Sequence, residues 1–163
     1  MPNALNERGF TLVELMITVA LLAIVATIAV PNFTQFIRNN QVQAKADELK
    51  AFLQYARGQA VSARTSYEVK VGTTWTAAPV GKDAERNLEF TVGQAQARTS
   101  SDNITFFPNG SVSATLIVTV CRDTDSNNGY LIEVNRSGVV RMYSRGYKNE
   151  TEKMAANNCA ATQ

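Results

Sequence analysis

The sequence predicts an α+β protein in which one long N-terminal helix, apolar in its first half and amphipathic in its second, packs on an antiparallel β-sheet head. Three observations carry this reading. A run with a single charge, FTLVELMITVALLAIVATIAV, fills Phe10 to Val30. Apolar residues then recur at helical spacing as far as Ala60. Beyond Ser66 the period falls to two. A chain of 163 residues, 45% hydrophobic and 18% charged, fits one compact domain plus appendages rather than a disordered chain or two large domains.

The segment Met1 to Gly9 (MPNALNERG) is polar and carries Glu7 and Arg8. The apolar run that follows reaches roughly 30 Å as a helix, the thickness of a bilayer's hydrocarbon core. A secretory signal would have a shorter apolar core closed by a small-residue cleavage site, whereas this run continues into amphipathic sequence. A plain signal anchor accounts for the length and for Arg8 on the cytoplasmic side. It leaves Glu14 as a carboxylate inside the membrane with no partner, at a cost of several kcal/mol.

Pro31 removes a backbone donor and clashes with the preceding turn, so a helix kink is expected there. Helix should resume to about Arg64. Its buried stripe is Val42, Ala46, Leu49, Phe52, Leu53, Ala56 and Ala60, with Lys45, Glu48, Lys50 and Arg57 off it. Strands are expected where Tyr67, Val69 and Val71 alternate with polar residues, and again at Leu88, Phe90 and Val92. Further strands are expected at Val112 to Cys121, Tyr130 to Val134 and Val139 to Tyr143. Pro108-Asn109-Gly110 and Asn127-Asn128-Gly129 read as the turns between them.

The junction Gly9-Phe10-Thr11-Leu12-Val13-Glu14, with Pro31 beyond it, resembles the processing site of type IV pilins. The resemblance implies a leader peptide over 1–9, a transmembrane and pilus-core helix over 10–30, and a periplasmic head over 31–163 that includes the second half of the helix. A prepilin peptidase would cut between Gly9 and Phe10 and methylate the new N-terminus at Phe10. Glu14 of one subunit would then pair with the Phe10 amine of a neighbour and set axial register, which offsets the cost of burying either charge alone.

The head carries a second resemblance. The run NQVQAKADELKAFLQYARGQAV, the arrangement ITFFPNGS from Ile104 to Ser111, and Gly138-Val139-Val140-Arg141 are similar to the GspH/FimT/FimU family of minor pilins and pseudopilins. The N-terminal half is nearest the FimU type. This implies a minor pilin that helps prime pilus assembly at or near the fibre tip and links other minor pilins to the major pilin. The same resemblance allows a GspH-type pseudopilin of a type II secretion system. Before assembly the implied location is a Gram-negative inner membrane, single-pass, with the head in the periplasm and inner-membrane lipid as a partner.

Little points to chemistry. The chain has no histidine, which removes the usual general base and the commonest zinc ligand. No catalytic residues, cofactor or metal are expected, and the protein is not expected to be an enzyme. Asp123 to Gly129 resembles a calcium loop only superficially, because its glycine and its glutamate fall at the wrong positions. In the periplasm, Cys121 and Cys159 are expected to form a structural disulfide that pins the C-terminal tail. Arg141, Tyr143 and Arg145 would share a strand face and offer a small basic-aromatic patch of the kind that binds nucleic acid. Family members active in DNA uptake resemble one another in a G-R-x-R motif, whose first arginine is Val139 here. Nucleic acid is therefore not the expected partner.

Overall fold

A computed structural model describes residues 10–91, 93–155 and 159. The expected leader, Gly9 and the strand position Val92 lie outside the described residues. Helix α1 spans Leu12–Ser62, and the chain divides into two compact units after Ile37.

The first unit is helical and bare. Phe10 to Ile37 is exposed throughout, and its most apolar 18-residue window has a mean hydropathy of 2.5. That is long and apolar enough to cross a membrane. Helix assignment continues through Pro31, which has no amide proton to give the Thr27 carbonyl. Polar side chains bond back onto the helix around it: Asn32 Nδ2 donates to the Ile28 carbonyl (3.0 Å) and Thr34 Oγ1 to that of Val30 (2.9 Å).

In the second unit the helix buries the stripe that its periodicity predicts, Val42, Ala46, Leu49, Phe52, Leu53, Ala56 and Ala60. It ends in a Schellman motif. Arg64 sits in the left-handed region (φ 50°), and Thr65 N–H reaches back to the Ala60 carbonyl (3.2 Å).

The single sheet expected from the sequence is two sheets. The first has the order β3-β2-β1-β5, from β1 (Tyr67–Lys70), β2 (Thr74–Pro79), β3 (Arg86–Glu89) and β5 (Asn103–Phe106). The second has the order β4-β6-β7-β8, from β4 (Gln96–Thr99), β6 (Leu116–Arg122), β7 (Asp125–Val134) and β8 (Val140–Met142). All strand pairings are antiparallel. Strands β2, β4 and β5 escape the periodicity reading because short stretches such as TWTAAP and QART lack a run of β-branched residues.

Inward-facing side chains of both sheets and the helix stripe form one core. Trp75, Val69 and Phe106 come from the first sheet, and Val118, Ile132 and Val134 from the second. Strand β6 is buried along Leu116 to Cys121 because its other face is covered too, with Ile117 packing against Leu131, Met154 and Tyr143.

One expected turn is corrected. Asn127-Asn128-Gly129 lies inside β7, and the β6–β7 hairpin turns at Asp123-Thr124, with Arg122 opposite Asp125 and Asp123 at φ 53°. Between Val120 and Arg122 the register shifts, so the Asn-Asn-Gly stretch forms an irregularity in the strand. Gly129 fits there because a Cβ would come within 3.1 Å of both the Cys121 Cβ and the Val120 carbonyl oxygen.

Two predictions follow from this packing. Leu49→Ala removes a side chain with no solvent exposure from the shared core, and urea unfolding should show a loss of about 2–5 kcal/mol. Tyr67, buried at the start of β1, donates to Glu85 Oε2 (2.6 Å), and that bond, with burial, pushes its phenol up to about 12 from 10.0. A raised folded-state value favours the protonated form. Its stabilisation is therefore full below pH 10 and is lost as pH rises towards 12. Melting temperatures measured across that window should fall more steeply for the native protein than for Tyr67→Phe.

Candidate assembly site

At the start of α1, Thr11 and Glu14 form a capping box. Glu14 Oε2 accepts from Thr11 N–H (2.9 Å) and from Thr11 Oγ1 (2.8 Å), and Glu14 N–H donates to Thr11 Oγ1 (3.2 Å). The T-x-x-E spacing announces this cap in the sequence, yet the membrane context directs attention to Glu14 as a charge and away from it as a cap. Both bonds from Thr11 fall on Oε2, and Phe10, the residue before Thr11, is 90% exposed. The carboxylate is thus locally satisfied and can still take a cation.

The other predicted features lie in the head. Cys121 and Cys159 form a disulfide across 38 residues of sequence. A loop of that length corresponds to about 4 kcal/mol on the chain-entropy model. The segment before Cys159 is stitched to the irregularity in β7: Ser126 Oγ donates to the Ala155 carbonyl (2.7 Å), Met154 N–H to that of Gly146 (2.8 Å), and Gly146 N–H to that of Gly129 (2.9 Å). Asp125, a ligand position in the calcium-loop pattern, instead accepts from Asn128 Nδ2 (2.8 Å).

The basic-aromatic patch is not one patch. Tyr143 packs beside Leu131 and donates to Glu133 Oε2 (2.6 Å), a bond that holds its phenol above the ordinary tyrosine range. Arg141 lies opposite Glu133 in the β7–β8 register. Arg145, beyond the end of β8, goes elsewhere. Its guanidinium lies 5.7 Å from the Tyr130 ring, Nε donates to the Tyr130 hydroxyl (3.0 Å) and Nη2 to Gln43 of the helix (3.2 Å). Strand alternation would place all three together only if β8 ran past Met142, and it does not.

Arg57, off the buried stripe of the helix, has a role that the helical pattern does not announce. Its Nε donates to the Gly110 carbonyl (3.0 Å), and its Nη2 lies 3.5 Å from that of Ser137. Val112 N–H donates to the Arg136 carbonyl nearby (3.1 Å), which joins the chain after β5 to the β7–β8 turn. Gly138 (φ 78°) stands so close that a Cβ there would overlap the Gly110 carbonyl oxygen. A lone arginine on a helix gives no signal of such a role; the Ser-Gly turn after β7 gives only a weak one.

Comparison with known proteins bears on this arrangement. A family model described as the prokaryotic N-terminal methylation motif matches residues 5–30, and one described as type II transport protein GspH matches residues 45–138. A fimbrial protein of Pseudomonas aeruginosa is 26% identical over 131 residues, covering 80% of this chain and 79% of that protein. The type IV major pilin protein PilA of Myxococcus xanthus is 55% identical over 47 residues, which are 28% of this chain and only 21% of PilA. Among solved structures, the type IV minor pilin FimU of P. aeruginosa superposes with a TM-score of 0.61 at 22% identity, covering 71% of this chain and 97% of that one. The minor pseudopilin EpsH of the Vibrio cholerae type 2 secretion system gives 0.55 at 10% identity, covering 65% and 98%. Fold and N-terminal motif together define a type IV pilin-like subunit, and the chain belongs to the GspH/FimT/FimU family of pilins and pseudopilins.

The seam between Arg57, Gly110 and Gly138 yields a prediction. Gly138→Ala combines a forbidden overlap with a left-handed backbone, so urea unfolding should show a loss of at least about 2 kcal/mol. Arg57→Met should cost less, because Arg57 is only half-buried and its contact with the Ser137 carbonyl is exposed.

Proposed function

We propose that this chain is a minor type IV pilin, a structural subunit that helps prime pilus assembly and sits at or near the fibre tip, linking other minor pilins to the major pilin. The observation that carries the reading is the fully exposed apolar segment Phe10 to Ile37, whose one carboxylate, Glu14, is capped in place at its first turn. Residues 1–9 are the leader, and a prepilin peptidase cuts between Gly9 and Phe10 and methylates Phe10. The helix over 10–30 holds the subunit in the inner membrane with the head in the periplasm, then enters the fibre core. There Glu14 pairs with the Phe10 amine of a neighbour, and Pro31 is where the helix bends.

A second reading, a minor pseudopilin of a type II secretion system, is favoured by the match over residues 45–138 and by the likeness to EpsH. Both readings use the same helix and the same Glu14 pair. Partners distinguish them.

Mass spectrometry of the full-length protein purified from native membranes tests both. A methylated Phe10 terminus with minor and major pilins attached supports the pilus reading, secretion pseudopilins in their place support the second, and an intact Met1 terminus overturns both. Glu14 can be tested by separating cap from charge, since glutamine at the third helical position keeps a capping box. Glu14→Gln and Glu14→Ala should both insert into the membrane and both be depleted from fibres, by at least about tenfold if the lost pair contributes ~1.4 kcal/mol. Normal incorporation of Glu14→Gln would remove the register role from the carboxylate.

A further inference from the structure

Among the described residues, strand β8 is an open edge that pairs with β7 alone, at the end of the second sheet. Asn135 N–H donates to the Val139 carbonyl (3.2 Å) and Tyr143 N–H to that of Leu131 (2.9 Å). Hydrogen-bonded residues alternate along an antiparallel pair, so Arg141 also turns its main chain towards β7. Val140 and Met142 therefore point their N–H and C=O groups outward, away from the sheet. Such an edge is a template for another strand.

The edge borders a groove of ≈ 570 Å³, walled by the helix at Arg57, Gly58 and Val61 and by Gly110, Val139 and Val140. Its walls are low: a Cβ at Gly58 would meet nothing within 4 Å. Val61 is 47% exposed and Val139 39%. No carboxylate lines it, whereas Arg57 does, and the exposed Arg141 follows Val140 along the edge. The acid in register, Glu133, takes the Tyr143 hydroxyl on Oε2, and Arg141 lies against that hydroxyl as well. The groove therefore offers main-chain donors and acceptors, a small apolar floor and the Arg57 guanidinium, while Arg141 stands on the other face of the same edge.

We propose that this groove receives an extended, acidic segment of a neighbouring pilin subunit, added as a strand to the outer edge of β8. The added strand bonds the main chains of Val140 and Met142. It lays a small apolar side chain over Val61 and Val140, and sets an aspartate or glutamate opposite Arg141. Nucleic acid fits less well, because a phosphate backbone has no donors for the outward carbonyls and no use for the valines. The inference rests on the pilin reading above.

The test places the photo-crosslinker p-benzoylphenylalanine at Val139 in the full-length chain, in its native membranes and fibres, with adducts mapped by mass spectrometry. The expected adduct is a segment of another pilin with an acidic residue near the crosslink. Adduct yield should fall at least tenfold in Met142→Pro, which lacks the outward N–H, and stay unchanged in Met142→Ala, which keeps it. It should fall severalfold in Arg141→Glu, and this exposed charge reversal decides the matter if Met142→Pro does not fold. Yield unchanged in Met142→Pro and Arg141→Glu, or adducts to DNA or lipid in place of a pilin, overturns the inference. A methylated Phe10 terminus and attached pilins in the same sample, with no adduct, sinks the groove alone and leaves the pilin reading standing; an intact Met1 terminus sinks both.

Discussion

The head depends on the apolar stripe of α1, because that stripe is where two separate sheets meet a common core. Each sheet is four strands with an apolar face that has to be covered. The helix offers both a surface of large and small residues. Leu49, Phe52 and Leu53 fill the core, and Ala46, Ala56 and Ala60 are buried beside them, all at 1% exposure or less. Exchanging large for small along that stripe would move one sheet or the other, since close-packed interiors do not absorb volume changes of a methyl group or more without strain.

The same helix has the opposite task in its first half, where no described residue covers it. Leu12 through Ile37 exposes leucine, isoleucine, valine and phenylalanine to a degree that water would not tolerate over such a length. A lipid or protein environment resolves this, and the capping box shows how the one charge is carried there. Thr11 supplies two donors to Glu14 before any neighbour arrives. The cost of desolvating the carboxylate is thereby partly offset within a single chain.

A third economy lies on the outer face of the second sheet. Ile117 and Leu131 would be exposed there, as alternation along β6 and β7 requires, but Met154 and Tyr143 cover them. The covering segment has few apolar residues to hold it down. Its anchorage comes from the disulfide, from Ser126 beneath it, and from the main-chain bonds of Gly146. The irregular Asn-Asn-Gly stretch in β7 makes room for the bridge, so a feature that looks like a turn in the sequence serves as a socket in the fold.

Much of this was legible in the residues. Periodicity of 3.6 identified all seven buried positions of the helix, because burial against a core is what that period records. The junction Gly9 to Glu14, with Pro31 beyond it, pointed to the family through its resemblance to the type IV pilin processing site. What the sequence could not show was set by distance along the chain. Whether eight short strands form one sheet or two depends on pairings between residues far apart, such as Tyr67 with Phe106 and Gln96 with Cys121, and local alternation is the same in either case. The parting of Arg145 from Arg141 depended on where β8 stops, and the role of Arg57 on two turns that meet only in the folded head. Local hydrophobic pattern fixed each element by itself; tertiary contact decided which elements became neighbours, because only there do backbone pairing and close approach act across the chain.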